Sequence, residues 1–597
     1  MSSTANTTRA VTGNQFGTFA GVFTPSILTI LGVIMFMRAG YVVGQAGVSG
    51  ALLILLAAEV IAVLTALSMS AIATNTPVRG GGAYFLISRV LGPQYGGAIG
   101  LALYIAQALS VPFYILGFTA SVTQSFPSLA EHYRSIALAT AGLLFVINYI
   151  SSSLAIKTQY VVMTLLSLSI LTFLGGAVLR FDPELLAANW SAEYSSPDLS
   201  FWVVFAVYFP AVTGFLAGVN MSGDLKDPSK SLVKGSFWAV GLGFVIYAIQ
   251  IVLSGASQAR PDLIARPYEM LMQNALFGAS FLVIGGVFSA TISSAVGSFL
   301  GAPRVLQAVA RDQILPRLNV FAKGSKEKDE PRVALWLTLV LSLIVIFFAA
   351  NPERDSTAAF DAIASLVTMI FLCTYGMINL AAFVESYGRN PSFRPRFRFF
   401  HWSLSLLGFL ACFAVMLLID PVAAGGAILV LSGLYAYISR RLYTSAFGDA
   451  RRGFLFNIAI RSLQRLRGAK ADPKNWRPTI LVMAGSSTAH LTQIRYGDWL
   501  EGGCGLVTAA RVIVADQVAQ ADRRRAALRD LEEYIEEHAL SVFPEIVLAK
   551  ELDEGMRVLV QAHSIGPLKS NTVVFGWPRT VERAVPFFRH LQDCSRL

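Results

Sequence analysis

The sequence predicts an all-α membrane protein: twelve transmembrane helices, ten of them in two five-span halves, followed by a C-terminal cytosolic α/β domain. Three observations predict it. The chain is 54% hydrophobic and 14% charged, with mean hydropathy +0.58, whereas soluble domains carry about 25% charged residues. About twelve apolar runs have the 17–25 residues needed to cross a bilayer. Two of these runs carry helix breakers near their middles, at corresponding positions of the two halves.

The elements follow in chain order. Residues 1–14 are polar and have no apolar core before a small-residue cleavage site, so no cleavable signal peptide is expected. The spans fall at 20–44, 50–73, 95–124, 132–154, 157–179, 201–221, 234–256, 276–300, 333–351, 358–384, 401–419 and 422–439. The expected division is a short cytosolic N-terminus (1–16), a membrane domain (17–440), a basic linker helix (441–474) and an α/β domain (475–597).

The first span reads Gly21-Val22-Phe23-Thr24-Pro25-Ser26-Ile27-Leu28-Thr29-Ile30-Leu31-Gly32-Val33-Ile34-Met35-Phe36, and the sixth contains Phe209-Pro210-Ala211-Val212-Thr213-Gly214-Phe215-Leu216-Ala217-Gly218. Backbone freed at bilayer depth is tolerated only in a protein interior or beside a water-filled cavity. Paired broken helices point to a transporter's binding site. A half-helix starting there presents unpaired N–H groups and a positive dipole end, which suit an anion. The donors are Gly32, Val33 and Ile34, then Gly214, Phe215 and Leu216. The other edges offer carbonyls for an alkali cation: Leu28, Thr29, Ile30 and Leu31, with Pro210 and Thr213. Close helix packing is the plain alternative for the glycines.

The breaks contain no Asp, Glu, Lys or Arg, and only Glu59 reads as lying well inside a span. Without fixed charges, a cation and an anion about 4–5 Å apart neutralise each other. In the eighth span Thr291-Ile292-Ser293-Ser294-Ala295 places two hydroxyls for a small hard cation; helix–helix hydrogen bonding is the alternative. Tyr114 and Tyr375 lie away from span ends, where phenols can aim inward.

Lys and Arg gather in alternate loops, among them Arg79, Arg89, Lys157, Lys226, Lys230, Lys234, Arg304, Arg311, Arg317, Lys326, Lys328, Arg389 and Arg394. The opposite loops hold few bases (Arg134, Arg180, Arg260, Arg266, Arg354) and the acids Asp182, Glu184, Glu193, Glu353 and Asp355. The positive-inside rule makes the first set cytoplasmic, and with it both termini. The net charge of +11 is mostly this topology signal, and nucleic-acid binding is not expected. The four cysteines (Cys373, Cys412, Cys504, Cys594) avoid the outer loops, so no extracellular disulfide is expected. The sequon Asn189-Trp190-Ser191 carries little weight. Asp224 to Pro228 form a charged stretch able to hold an intracellular gate, or simply a solvated loop.

In the tail, apolar runs at 479–483, 510–514, 545–548 and 572–575 read as buried strands, alternating with helices at 522–538, 551–563 and 580–593. That alternation implies a parallel sheet. No phosphate-binding glycine loop is present, and no cofactor, resident metal or catalytic set is expected. The basic linker is expected to lie against anionic lipid heads.

At these residues the chain resembles the cation–chloride cotransporters, as a prokaryotic-type member similar to the Na-K-Cl branch, in the amino acid–polyamine–organocation superfamily. The carriers are Gly32-Val33-Ile34, Val43-Gly44-Gln45-Ala46-Gly47, Arg79-Gly80-Gly81-Gly82-Ala83-Tyr84-Phe85, Asn220-Met221-Ser222-Gly223-Asp224-Leu225-Lys226-Asp227-Pro228, Gly301-Ala302-Pro303-Arg304 and Asn475-Trp476-Arg477-Pro478. The resemblance implies a LeuT-like inverted repeat with helices 1 and 6 broken. It implies chloride at Gly32, Val33, Ile34, Gly214, Phe215, Leu216 and Tyr375. It implies potassium at Thr29, Ile30, Tyr114, Pro210 and Thr213, and sodium at Leu28, Leu31, Ala290, Ser293 and Ser294. Thr29 and Leu31 depart from the family pattern, which usually has Asn and an aromatic there. The tail resembles a universal-stress-protein-like fold that mediates dimerisation. The short N-terminus leaves little room for the phosphoregulatory segment of animal relatives.

The expected activity is secondary, electroneutral transport of Cl⁻ with Na⁺ and K⁺ by alternating access, not an enzyme, in the plasma (inner) membrane. One rival is an amino-acid or polyamine permease of the same superfamily. Another is a non-transporting membrane sensor or scaffold.

Overall fold

A computed structural model describes residues 16–75, 81–150, 152–220, 222–325, 329–350, 356–390, 393–440, 451–468, 473–485, 488–515, 520–578 and 580–596. Arg79, Gly80, Met221, Lys326, Lys328, Glu353, Arg354, Asp355 and residues 1–15, 441–450 and 469–472 lie outside the described residues. The chain divides into two compact units, Met1–Leu455 and Phe456–Leu597.

Among the described residues the first unit holds twelve apolar helices of bilayer length: Phe19–Met37, Ala39–Asn75, Pro93–Ser125, Pro127–Ile150, Thr158–Leu179, Phe201–Asn220, Pro228–Ser257, Ser280–Arg311, Arg332–Ala349, Phe360–Tyr387, Trp402–Ile419 and Pro421–Ser439. Some of their N-termini show ordinary capping chemistry. Asp420 accepts from the backbone N–H groups of Val422 and Ala423, with Pro421 in the first turn. Asp227 does the same for the seventh helix, accepting from Lys230 N–H at 3.2 Å.

The seventh and eighth helices run further than expected, the eighth eleven residues beyond the predicted 300 to Arg311. Proline at 303 sits inside it without ending it. An apolar helix, Gly82–Leu91, was not predicted. It packs against the third span through a corner at Gly92. The segment Ala39–Asn75 is kinked at Gly47, with φ +69° and ψ 171°. Only glycine adopts that region readily, and a Cβ there would lie 2.4 Å from the Ser191 carbonyl. The neighbouring Val48 N–H donates to the Asn189 carbonyl at 2.9 Å. Asn189 itself is 3% exposed, and its Nδ2 donates to the carbonyls of Gly255 and Gln258 at 2.8 Å. The sequon nitrogen is therefore engaged in packing rather than presented.

Buried hydroxyls and amides tie the spans together. Asn379 Nδ2 donates to Thr65 Oγ1 and to the Tyr375 carbonyl, both at 2.9 Å. Ser68 Oγ donates to Asn379 Oδ1 at 2.6 Å and meets Ser405 Oγ at 2.8 Å. Such bonds between membrane helices contribute about 0.6 kcal/mol each. Here they fix the rotation of the tenth helix, which carries Tyr375.

The second unit is a doubly wound α/β fold. Its four parallel strands lie in the order Val542–Ala549, Leu506–Val514, Thr479–Met483, Thr572–Val574. Alternation splits the core: Ile480, Val482, Val507 and Ala509 pack on one side with Ile494, Leu531 and Ile535, while Leu481, Met483 and Ala510 pack on the other with Leu559. The helices at 521–537, 552–562 and 581–596 match expectation within a few residues; Thr488–Glu501 and a short hairpin at 564–569 were not predicted.

Candidate functional site

The first span is interrupted where the glycine predicted it. Thr24–Ile30 is helical, Leu31 leaves the helix at ψ 39°, Gly32 is extended at ψ −147°, and Val33–Met37 resumes. The N–H groups of Val33 and Ile34 open the new helix, where none has an acceptor within it. A Cβ on Gly32 would lie 2.8 Å from the Thr29 carbonyl oxygen and 3.2 Å from Ser294 Oγ. Glycine therefore lets the eighth span approach the break. Ser294 Oγ reaches the Leu28 carbonyl at 3.5 Å.

The sixth span is tightened rather than opened. Phe201–Tyr208 is α-helical, Phe209–Phe215 is a 3-10 helix and Leu216–Asn220 is α-helical again. This corrects the expectation of three free donors, because the Leu216 N–H donates to the Gly214 carbonyl. Carbonyls thought free also have donors. Thr213 Oγ1 donates to the Pro210 carbonyl at 2.9 Å, and Tyr375 Oη to the Thr213 carbonyl at 2.9 Å. Tyr247 Oη donates to the Ile30 carbonyl at 2.7 Å. Each of these oxygens keeps a second lone pair. The Thr29 hydroxyl is turned back onto the Pro25 carbonyl at 2.8 Å.

The two interruptions meet. A Cβ on Gly214 would lie 2.6 Å from Ile30 N and 2.9 Å from the Thr29 carbonyl carbon. Beside this contact is a cavity of about 40 Å³ whose wall includes Thr29, Tyr114, Thr213, Gly214, Leu216 and Ser294. Ser293 borders an adjoining cavity of about 20 Å³ with Pro25 and Thr29. Gly32, Val33, Ile34, Phe215 and Tyr375 are in the wall of neither. Val33 packs where a Cβ on Gly117 would stand, and the Phe215 ring lies 5.3 Å from that of Tyr375. Ala290 is fully buried, one turn before Ser294.

Toward the loops at 180–200 and 258–279, an ion pair lies beyond the first break. Arg38 Nε meets Asp361 Oδ1 at 2.7 Å, with Arg38 side chain 9% exposed. The guanidinium also lies 5.1 Å from the Phe360 ring centre. The expectation that only Glu59 is an interior ionisable group is thereby corrected. The signal was available: a lone Arg within the first apolar run and a lone Asp at the start of the tenth.

At the opposite, lysine- and arginine-rich end, Phe16 bridges to Leu225, and Lys226 N–H donates to the Phe16 carbonyl at 3.0 Å. Of the charged stretch 224–228, Asp227 makes a local cap: Lys230 Nζ lies 3.3 Å from it, within one turn; the Asp224 side chain lies outside what the structure describes. The Ser229 hydroxyl and then the Lys230 N–H hold the Asp227 carboxyl below its usual value. Deeper in, Arg89 makes a two-pronged pair with Asp312 at 3.0 Å, and Tyr84 Oη donates to the same carboxylate.

Tyr247, Arg38 and Asp361 were missed, as were the cavity residues Gln107, Ser110, Asn220 and Ser298. Tyrosine and serine in a long apolar span give no direction by type alone.

A family model described as amino acid permease matches residues 21–482. The chain is 31% identical over 634 residues to solute carrier family 12 member 2 of Squalus acanthias, covering 96% of this chain and 52% of that protein. It is 31% identical over 598 residues to a transporter of Schizosaccharomyces pombe described as uncharacterized, covering 95% and 56%. It is 29% identical over 623 residues to solute carrier family 12 member 1 of Mus musculus, covering 96% and 56%. The chain spans about half the length of the curated relatives it matches.

Proposed function

The chain belongs to the amino acid permease family, and from that premise we propose that it is a secondary transporter moving Cl⁻ together with Na⁺ and K⁺ by alternating access. The observation that carries this reading is the contact of the two interrupted spans beside a cavity walled without Asp, Glu, Lys or Arg. A charge-free site disfavours a lone ion. A cation and an anion about 4 Å apart attract by roughly 4 kcal/mol at an effective dielectric constant of 20. The pair then crosses with no net charge.

In this reading chloride is held at the amides of Gly32, Val33 and Ile34, and in a second place by Gly214, Phe215 and Tyr375. Potassium takes carbonyls of Thr29, Ile30, Pro210 and Thr213 with the Tyr114 phenol. Sodium takes Leu28, Leu31 and Ala290 carbonyls with Ser293 and Ser294; Ser294 already approaches Leu28. The Arg38–Asp361 pair closes the acidic-loop side and parts when the site turns outward. The basic loops and both termini face the cytoplasm, and the α/β tail pairs two copies.

A second reading is amino-acid transport, supported by the family model's description. The Gly32 and Gly214 regions would then receive a carboxylate. Labelled Na⁺ and Rb⁺ uptake into proteoliposomes, with chloride present or replaced by gluconate, separates the two. The ion reading expects chloride-dependent uptake of both cations, with Na⁺ uptake lost in Ser293→Ala. Rb⁺ uptake that needs chloride but not Na⁺ would remove sodium from the cycle. Absence of any chloride-dependent cation flux refutes the ion reading.

A further inference from the structure

The helices that build the central cavity carry a second tier of oxygens nearer the basic face. On the third span, Ser110 and Gln107 lie four and seven residues before Tyr114. On the eighth, Ser298 and Gly301 lie four and seven residues after Ser294. Such spacings keep residues on one helix face. Gln107, Ser110, Ser298 and Asn220 all border the cavity that holds Tyr114 and Ser294. At 1.5 Å per residue the second tier is about 6–10 Å from the first.

Two of these groups are stranded. Gln107 is 5% exposed and Asn220 9% exposed, and neither Gln107 Oε1 nor Asn220 Oδ1 has a hydrogen-bond partner among the described residues. Buried carboxamide oxygens are ordinarily paired. Both side chains converge on Gly301, where a Cβ would lie 2.8 Å from Gln107 Oε1 and 3.0 Å from Asn220 Nδ2. Glycine at 301 is what lets the two carboxamides approach so closely. A carboxamide turned half a circle presents its oxygen in place of its nitrogen, so Asn220 can bring a second oxygen to the same point. The Ser110 hydroxyl donates to the Ala106 carbonyl at 2.8 Å, which leaves its lone pairs for an acceptor role.

We propose that Gln107, Asn220, Ser110 and Ser298 form a second site for a monovalent alkali cation, on the path between the central site and the basic face. Neutral oxygen donors suit a hard cation, and no carboxylate borders this cavity to favour a divalent one. Arg304 borders the adjoining cavity with Gln159 and has partners of its own. Its charge makes chloride the competing occupant. The inference rests on the transport reading for its role but not for its chemistry.

The test uses the full chain with Gln107→Leu and the near-isosteric Gln107→Glu. Equilibrium binding of ²²Na⁺ and ⁸⁶Rb⁺ in detergent is combined with uptake measured separately from each face in oriented proteoliposomes. One charge-assisted contact changes affinity by about tenfold. Gln107→Leu is expected to raise the cation KM about tenfold from the basic face, and Gln107→Glu to lower it by a similar factor, with the KM from the other face unmoved. Binding of one of the two isotopes should change in the same sense, which identifies the ion. Unchanged cation binding and sided KM in both variants overturns the proposal, the oxygens then being merely hydrated. Weakened chloride binding in Gln107→Glu with cation binding unmoved overturns it in favour of an anion site. A wild type without chloride-dependent flux refutes the transport reading alone, because the equilibrium binding still reports this site.

Discussion

Gly214 stands against the backbone of Ile30 and Thr29 with no room for a methyl group. Backbone cannot swing aside as a side chain can, and an inserted methyl in a packed interior costs about 1–3 kcal/mol. Gly214→Ala is therefore expected to lower chloride-dependent ⁸⁶Rb⁺ uptake at least about tenfold, a loss equal to about 1.4 kcal/mol. Gel filtration should still show intact protein; wild-type uptake in this variant would mean that the two interruptions need not touch. The residues legible in advance were those whose type carries the signal. Gly32, Gly214, Pro210, Ser293 and Ser294 are unusual inside apolar runs, and the structure brings the two breaks and Ser294 to one place. Gln107 and Asn220 were not legible. The first, third and sixth spans are buried on most of their surface, so no apolar stripe reports which way a side chain faces.

Helix ends and helix pairs carry the next set of effects. The Arg38–Asp361 pair joins the first span, just past its break, to the tenth. Removing one partner of a buried pair strands the other, at a cost of about 3–5 kcal/mol. Asp361→Asn should therefore destabilise the closed form on that side. A cysteine placed at Ile34, in a chain lacking its native cysteines, should then react faster with an impermeant maleimide from the acidic-loop face; equal rates would dismiss the pair as a closure. Asp227 acts at the seventh helix. Its carboxyl is held below the usual value, so its contribution is present above the ordinary carboxylate pKa and lost as pH falls through the lowered one. Asp227→Asn should melt below wild type near neutral pH, and the gap should close as pH falls through the lowered value. A gap that widens in acid would contradict the assigned sign. Span positions were readable from length and apolarity, while Gly82–Leu91 was not, being too short for the spanning criterion.

At the scale of the whole molecule, two units with separate cores share one chain. We expect the full chain to be a homodimer by light scattering in detergent, and a chain ended before Pro473 to be monomeric yet still competent in chloride-dependent uptake. A dimeric truncated chain would place the pairing surface in the membrane unit instead. The parallel sheet of the tail was readable because short continuous apolar runs alternated with helical stretches; Thr488–Glu501 was missed because its polar composition carries little apolar periodicity. The sequence by itself determined the membrane class, the twelve spans, the two interruptions and the α/β tail, since each depends on local composition or on glycine and proline chemistry. Only the tertiary structure decided which carbonyls keep a free lone pair, that the second interruption is a 3-10 turn, that Arg38 finds Asp361, and which amides face the cavity. Those outcomes depend on helix rotation and on partners hundreds of residues away, and in spans that are apolar nearly all round the sequence holds no periodic signal for either.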